Sequence, residues 1–339
     1  SSLRGLMIGT SEGEWRLRAS DSAGINANNA EFERHSGVGS SLLDALTVEN
    51  SLLFVQQGGR KVREFFYSLE ADGFLTRDVS LLSDHLLTEG IVDWTVQRST
   101  AFHVWCILKD GSAVCMTLNR EQNIVAWHAH LLEHGRILSV ASLRSSQDTQ
   151  DEEVWFTVER GEGEHACITV ERMAEGNEYL DACTEAVVRD GRLSGLRHLA
   201  GCEAVLMDGN GSCSTILVDG EGNAPCPERR EGETVRAGMA APAEVRTMPL
   251  ESLETLGRLK KQLGARALLH ESSLQFLYGT GAPGAWRRFQ PGRYGAEAPY
   301  SGYVRLTHNY GTDEQAAFAL RVEEPGPFNL LALVLDVEL

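Results

Sequence analysis

A chain of 339 residues is long enough for two or three domains, and its 42% hydrophobic and 23% charged residues are typical of a globular protein. The net charge of -17 argues against tight binding to a phosphate backbone, which requires clustered Lys and Arg. No apolar run approaches the roughly 18 residues of a membrane-spanning helix, and the opening SSLRGLMIGT lacks the basic-then-apolar layout of a signal peptide.

Hairpin-like units follow one another through the first half of the chain. Each unit is an apolar strand, a Gly-containing turn and a second strand, and side chains alternate with the period of two that is typical of strands. The units begin at Leu6, Leu52, Val104 and Val154, at intervals of 46, 52 and 50 residues.

This repeat predicts a mainly β fold class. A hairpin every ~50 residues, with room for two further strands per unit, is typical of a β-propeller. We therefore predict propeller-like blades over residues 1–178, with a solenoid or a sandwich of hairpins as the alternatives. Only three or four blades fit in this region and the chain has no initiator Met, so we expect a fragment of a longer product.

The third hairpin, HVWCILKDGSAVCMTL, contains two of the seven cysteines. Asp110-Gly111 reads as a two-residue turn, which would place Cys106 opposite Cys115. Directly opposed strand residues are close enough for a disulfide, and two reduced thiols packed side by side are the alternative. The scattered, odd number of cysteines without Cys-x-x-Cys spacing argues against a zinc framework.

A helix is predicted between the second and third hairpins. In DVSLLSDHLLTEG, Asp78 or Ser80 would be the N-cap, the leucines have helical spacing, and Gly90 would end the helix.

The segment LNREQNIVAWHAHLLEHG carries the candidate metal ligands. In a strand, His128 and His130 lie on one face, and His134 follows near a turn, beside Glu133. Two histidines on one face could bind a metal if a third ligand came from elsewhere. No second ligand motif is present, so we predict strand histidines at a blade edge and no metal site.

Other chemical motifs are missing from the sequence. It has no nucleophile elbow, no phosphate loop and no dinucleotide fingerprint, so we predict no catalytic residue and no cofactor. The acidic run from Asp148 to Glu153 reads as a solvated loop before a strand. A pair of catalytic carboxylates across a cleft would leave no trace of this kind.

The second half of the chain changes character. Residues 179–249 are Gly-rich with short alternating strands, which predicts a small β-sandwich or barrel. Asp208-Gly209-Asn210-Gly211 reads as a turn, because the ligand spacing of a calcium loop is missing. Residues 250–339 predict a C-terminal β-sandwich-like domain, although SLETLGRLKKQLGA at its start has helix-like spacing.

The amino-acid sequence of several segments resembles that of the tail tubular, or nozzle, proteins of short-tailed phages and prophages. The resemblance spans most of the chain and is strongest over residues 50–130. It is carried by SEGEWRL near the start, the Phe-Val-x-x-Gly-Gly-Arg-Lys-Val-Arg-Glu run of Phe54–Glu64, DVSLLSDHLL, Asn119-Arg120-Glu121-Gln122 through Trp127-His128-x-His130, and Gly195–Gly209.

The resemblance implies a structural virion protein without chemistry of its own. Nozzle proteins combine β-propeller and β-sandwich parts and form a ring, commonly six-fold, at the distal end of the phage tail. They attach to an adaptor ring, carry fibres or tip proteins, and let DNA leave through their channel. The histidines would then belong to a blade motif, and part of SLETLGRLKKQLGA would be a long strand. Nozzle proteins are usually much longer than this chain.

Two physical expectations accompany the resemblance. An acidic channel wall repels phosphates, so DNA would slide through without sticking. A ring also needs large contacts between subunits. Candidates for such contacts, with burial in a core as the alternative, are Trp94, Trp286, Tyr300 and Tyr303.

Two other functions remain open from the residues themselves. One is a propeller that binds glycans or degrades polysaccharide through carboxylates or aromatics in its loops. The other is a metal-binding propeller that uses His128 and His130.

Overall fold

A computed structural model gives the fold of this chain and confirms the predicted mainly β fold class with repeated hairpins. Its compact units are residues 1–173 and 174–339, each of which is described by itself. Within the described residues, no helix is both long and apolar enough to cross a membrane. The structure describes residues 5–21, 24–99, 101–132, 134–145, 151–161, 163–174, 179–209, 211–249, 257–280, 284–294, 299–307, 312–314 and 316–338.

Among its described residues, the first unit contains four consecutive antiparallel sheets, which we call blades 1 to 4, and each sheet pairs its strands in chain order. Blade 1 consists of β1 (Leu6–Thr10), β2 (Gly13–Ala19) and β3 (Ala30–Ser36). Blade 2 consists of β4 (Leu46–Val48), β5 (Ser51–Val55), β6 (Val62–Ser68) and β7 (Gly73–Asp78). Blade 3 consists of β8 (Ile91–Arg98), β9 (Phe102–Leu108), β10 (Ala113–Asn119) and β11 (Ile124–His130). Blade 4 consists of β12 (Gly135–Arg144), β13 (Glu152–Arg160) and β14 (Cys167–Arg172). The predicted hairpins are confirmed as β1–β2, β5–β6, β9–β10 and β13–β14.

The blades stack in one direction because side chains alternate along each hairpin. The first apolar residue of a hairpin faces the preceding blade and the second faces the following blade. Between blades 1 and 2, Met7 packs on Phe54, Phe65 and Phe74. Between blades 2 and 3 the buried cluster includes Leu53, Val55, Val62, Val104, Cys106, Val114 and Met116. Between blades 3 and 4 it includes Trp105, Ile107, Cys115, Val154, Phe156 and Val158.

A backbone hydrogen bond ties each hairpin turn to the segment that begins the next blade. The Gly59 carbonyl accepts from the Ile91 amide, and the Gly111 carbonyl accepts from the Ile137 amide, both at 2.8 Å. In blade 1 the Thr10 carbonyl accepts from the Ser40 amide at 2.8 Å. Gly59 and Gly111 have positive φ angles of 78° and 90°, a conformation that costs glycine little.

The predicted pairing of Cys106 with Cys115 is wrong. The β9–β10 turn has three residues, Lys109 to Gly111, so Cys106 pairs with Val114 and Cys115 pairs with Trp105. A type I turn followed by a left-handed glycine is a common three-residue hairpin loop. One residue of register moves a side chain to the other face of the sheet. The two free thiols therefore point into different cores.

The predicted helix is a short 3-10 helix, Leu81–Leu87, interrupted at Ser83. Ser80 occupies the N-cap position but makes no side-chain cap, because its hydroxyl accepts from the Val62 amide of β6 at 3.1 Å. Leu87 is buried while Leu82 is almost fully exposed. The leucine spacing therefore predicted a longer and more regular helix than the one that forms. Gly90 follows at φ 85°, as expected of a stop residue.

The second unit is also β-rich, and its described part contains two buried clusters. One lies within residues 182–239 and the other within residues 265–322. Its sheets have the orders β15-β20-β17-β18, β16-β19, β21-β27-β23-β24 and β25-β22-β26, with β28 also paired to β22. The strands are β15 (Leu180–Val187), β16 (Arg192–Leu193), β17 (Glu203–Met207), β18 (Cys213–Leu217), β19 (Ala224–Pro225), β20 (Thr234–Ala240), β21 (Ala243–Arg246), β22 (Lys260–Ser272), β23 (Leu277–Gly279), β24 (Arg287–Arg288), β25 (Tyr300–Leu306), β26 (Thr312–Asp313), β27 (Ala319–Val322) and β28 (Asn329–Glu338).

The helix-like spacing of SLETLGRLKKQLGA is misleading from Lys260 onward, where β22 begins, and residues 250–256 lie outside the described residues. β22 pairs with β25 and β28 along both edges, and this tertiary pairing overrides the local helix propensity. The division into 1–178, 179–249 and 250–339 stays a prediction, although β21 pairs with β27 across residue 249.

Candidate functional site

The predicted metal candidates lie on β11, where packing explains two of them. His128 pairs with Cys115 and His130 with Ala113, so both rings point toward blade 4. The two ring centroids are 4.8 Å apart, and the His130 ring also lies 4.8 Å from the Trp105 ring. Burial, and then the neighbouring His128, lower the pKa of His130 to about 4. His130 is therefore neutral at pH 7 and packs as an aromatic ring.

His134 does not join these two rings. It is exposed, follows the strand, and has a left-handed φ of 57°. Its neighbour Glu133 lies outside the described residues. Within the part of the chain that the structure describes, no group of three or more His, Cys, Asp or Glu residues is placed to hold a metal ion.

Sequence reasoning missed a third histidine on the same face. His103 of β9 pairs with Thr117, two positions along from Trp105, and it lies on the side that faces blade 4. Burial lowers its pKa, and both loss of hydration and the nearby His103 lower the pKa of His128. The face of the sheet on which His103 lies depends on the register of β9 against β10, which the three-residue turn determines.

The interface between blades 2 and 3 contains a buried ion pair. Glu64 of β6 is only 2% exposed. Its carboxylate accepts from Arg77 Nε at 2.6 Å and contacts the Arg120 guanidinium, which reaches it from the turn between β10 and β11. On the same side, Trp127 Nε1 donates to the Val79 carbonyl at 2.9 Å. The Glu64–Arg120 and Trp127–Val79 contacts join segments that are 48 or more residues apart in the sequence.

The acidic run before β13 is not simply a solvated loop. Glu152 accepts from the Arg98 amide at 2.7 Å and from Ser142 Oγ at 3.0 Å, which links blade 4 to the end of β8. Glu153 accepts from Arg172 at 3.1 Å. The solvated-loop prediction is therefore wrong for these two glutamates, while Asp148 lies outside the described residues.

The predicted turn at Asp208 has the hydrogen bonds of a turn. The Asp208 carbonyl accepts from the Gly211 amide at 3.0 Å, and its side chain accepts from the Ser212 amide at 2.9 Å and from Arg229 at 3.2 Å. Asn210 lies outside the described residues. The carboxylate is thus occupied by protein donors.

The four aromatic contact candidates have different environments. Trp94 is 6% exposed and donates its Nε1 hydrogen to the Asp44 carbonyl at 2.8 Å, so it belongs to a core. Trp286 and Tyr300 are half-buried. Tyr303 is 57% exposed and is the one of these four that a partner could cover readily.

A scan against protein-family models and a search of the curated proteins both found no match to this chain.

Proposed function

We propose that this chain is a structural subunit of the tail nozzle of a short-tailed phage or prophage. The subunits would form a ring, commonly six-fold in the proteins that the sequence resembles. By the same resemblance, the ring would attach to a tail adaptor ring, carry fibres or tip proteins, and be found in the phage tail after synthesis in the host cytoplasm.

One observation carries this proposal: three segments that carry the sequence resemblance contact one another. Glu64 ends the Phe54–Glu64 run, and Arg120 belongs to the Asn-Arg-Glu-Gln turn. The Glu64 and Arg120 side chains form the buried ion pair. Trp127, which follows Arg120 in the same segment, donates a hydrogen bond to the Val79 carbonyl in DVSLLSDHLL. The sequence segments that carry the resemblance therefore coincide with contacts that hold two blades together, which is what a structural role requires.

The charge of the chain supports passage of DNA without adhesion. At -17 per subunit, a ring of several copies would carry a large negative charge, which repels the phosphate backbone. Double-stranded DNA should therefore not be retained by the purified protein, even at low salt.

The alternative is a glycan-binding or polysaccharide-degrading propeller, which needs a cleft. A shallow depression in the second unit is lined by Phe276, Leu277, Arg288, Glu323 and Glu324 together with Gln275, and the cavity volume within it is about 10 Å³. Ligand pockets usually enclose about 300–1,000 Å³. Arg288 binds Glu324 at 2.7 Å, so this carboxylate is already neutralised. This depression is therefore not itself the cleft that the alternative requires.

Electron microscopy of the purified protein, with its solution mass measured alongside, tests the proposal. Closed rings with a central hole, and a mass of about six or twelve subunits, are expected. A monomer that binds an immobilised polysaccharide or releases reducing sugar from it would overturn the proposal and support the alternative.

A further inference from the structure

Among the described residues, blade 4 has one strand fewer than blades 2 and 3. Those two blades have four strands each, and their third strands, β6 and β10, are paired along both edges. The third strand of blade 4 is β14, which pairs with β13 alone. Only seven residues separate Arg172 of β14 from Leu180, where β15 begins in another sheet. This connection is too short for a turn and a further strand as long as β11, which has seven residues.

The open side of β14, which we call the β14 edge, presents backbone groups that β13 does not use. The Met173 amide donates to the Val154 carbonyl of β13 at 2.9 Å. Backbone groups of an antiparallel strand point to alternate sides, and the pairing of β13 with β14 has no shift in register. The amides and carbonyls of Ile168, Val170 and Arg172 therefore point away from β13. They offer three donors and three acceptors to a further strand.

The side chains along the β14 edge are typical of a strand that is covered. Ile168 and Val170 are 67% and 69% exposed, although β-branched residues favour strands that pack against neighbours. Exposed edges commonly carry Pro, Lys or a bulge that prevents further pairing. The sequence from Cys167 to Val170 contains neither Pro nor a charged residue. The edge therefore lacks the usual protection against an added strand.

The charged side chains of β14 already have partners on β13. Arg172 binds Glu153 at 3.1 Å on the outward side of the sheet. Glu171 binds Arg160 at 2.7 Å on the side that faces blade 3. A strand placed beside β14 thus meets no charge that it would have to neutralise, which favours an uncharged segment.

The position beside β14 is bordered by β11 of blade 3. One side of β11 packs on blade 2, where Trp127 donates to the Val79 carbonyl. On its other side, His128 and His130 point toward blade 4, and His128 is exposed. A single strand added to β14 would cover these histidines. The sheet of a second folded copy would bring its own neighbouring blade against β11, so one extended segment fits this position better than another blade does.

We propose that the β14 edge binds one extended, uncharged segment of another polypeptide as the fourth strand of blade 4. The segment lies antiparallel to β14, as β11 lies against β10. Its side chains beside Ile168 and Val170 are apolar, and those that face His128 are large and apolar, as Trp127 is in β11. Main-chain hydrogen bonds supply the affinity of such strand addition, and alternate side chains supply its specificity. The inference does not rest on the proposed function.

A peptide with the sequence Gln122–Leu131, which contains the fourth strand of blade 3, is the probe. Terminal lysines keep it soluble. Amide hydrogen exchange, resolved to single residues, is measured with and without the peptide. In the protein alone, the amides of Ile168, Val170 and Arg172 should exchange faster than those of Thr169 and Glu171. A peptide concentration ten times the Kd should slow the first three about 10-fold.

Two N-methylated forms of the peptide separate strand addition from side-chain binding. Each form is methylated on alternate amides, so one set faces β14 and the other faces away. Fluorescence anisotropy of labelled peptides should show that one form loses binding and the other retains it. Equal affinities of the two forms would overturn the inference.

A substitution in the protein gives an independent test. Val170→Pro removes one outward donor but no hydrogen bond to β13, a position where an edge strand tolerates proline. It should weaken peptide binding about 10-fold or more, which corresponds to about 1.4 kcal/mol. Val170→Thr is the matched control, because it keeps both the amide and the β-branch. Thermal melting of both variants should match that of the unmodified protein.

Three results would contradict strand addition at β14. Slow exchange of Ile168, Val170 and Arg172 without peptide would mean that the chain itself fills the position. Protection by the peptide along β10 instead of β14 would mean that it replaces β11 in blade 3. Unchanged exchange with the peptide in excess would mean that the edge does not accept a strand. Each result would leave the nozzle proposal intact, since ring formation is measured separately.

Discussion

The interface between blades 2 and 3 and the interface between blades 3 and 4 come from the same repeat, yet they bury different chemistry. The first combines aliphatic side chains with the Glu64–Arg120 ion pair. The second places His128 and His130 beside Trp105 at the margin of its apolar cluster. The backbone contact between blades is the same in both interfaces, but their side chains differ. The stability of each interface should therefore depend differently on charge and pH.

The largest effect is expected from breaking the ion pair between blades 2 and 3. Arg120→Ala leaves the Glu64 carboxylate, 2% exposed, with Arg77 as its remaining cationic neighbour. We expect a loss of about 3 kcal/mol in the free energy of unfolding, measured by chemical denaturation, because Arg77 still compensates part of the buried charge. Glu31→Ala is the control, because the Arg18–Glu31 pair is about half exposed on both sides and should contribute less than about 1 kcal/mol.

A double-mutant cycle makes this prediction sharper. Glu64→Ala with Arg120→Ala should cost less than the sum of the two single variants, because each single variant already removes the Glu64–Arg120 interaction. Additive costs, or an Arg120→Ala cost no larger than that of Glu31→Ala, would mean that the pair does not hold the two blades together.

The equivalent turn glycines of blades 2 and 3 provide the next comparison. A Cβ at Gly111 would lie 3.0 Å from the Arg136 Cα, whereas at Gly59 the nearest atom, the Ile91 amide nitrogen, would be 3.8 Å away. Both residues have positive φ, so Gly59→Ala should cost about 1 kcal/mol from strain alone. Gly111→Ala should cost about 3 kcal/mol, because blade 4 must also move. Equal losses of unfolding free energy would contradict this difference in packing.

The histidine interface should be the more sensitive to acid. The pKa of His130 is about 4 in the folded chain and about 6.5 when unfolded, so the unfolded state binds more protons between these values. Stability is therefore fully present above pH 6.5 and declines as the pH falls toward 4. We expect His130 to account for about 2 kcal/mol of this decline, after allowance for its partial exposure.

Comparing unfolding free energies at several pH values checks this expectation. His130→Phe keeps a ring against Trp105 but cannot be protonated, so its stability should decline less between pH 6.5 and 4. His134→Gln is the control, because His134 is exposed beyond the strand and should leave the decline unchanged. A His130→Phe profile parallel to that of the unmodified protein would show that this ring does not set the acid response.

Local patterns predicted the hairpins well, because the period of two and the turn glycines act within a few residues of one another. They could not decide between a two-residue and a three-residue turn at Asp110, and that one residue determines which core receives Cys106. The pairing of Glu64 with Arg120 depends on how two blades stack, so neither residue alone identifies it. Similarly, His103 joins the other two histidines only through strand register.

The two separated thiols allow each interface to be followed independently. Cys106 belongs to the core between blades 2 and 3, and Cys115 to the core between blades 3 and 4. Burial raises the pKa of both thiols, to about 12 for Cys115, so neither should react at neutral pH while Cys213, which is exposed, is modified. At about pH 5, a pyridyl disulfide, which reacts with thiols in acid, should modify Cys115 before Cys106 because the histidine interface loosens first. Mass spectrometry of the labelled peptides measures both rates. Equal rates would mean that the four blades open as one cooperative unit, and the chemical difference between the two interfaces would then have no separate effect on their stability.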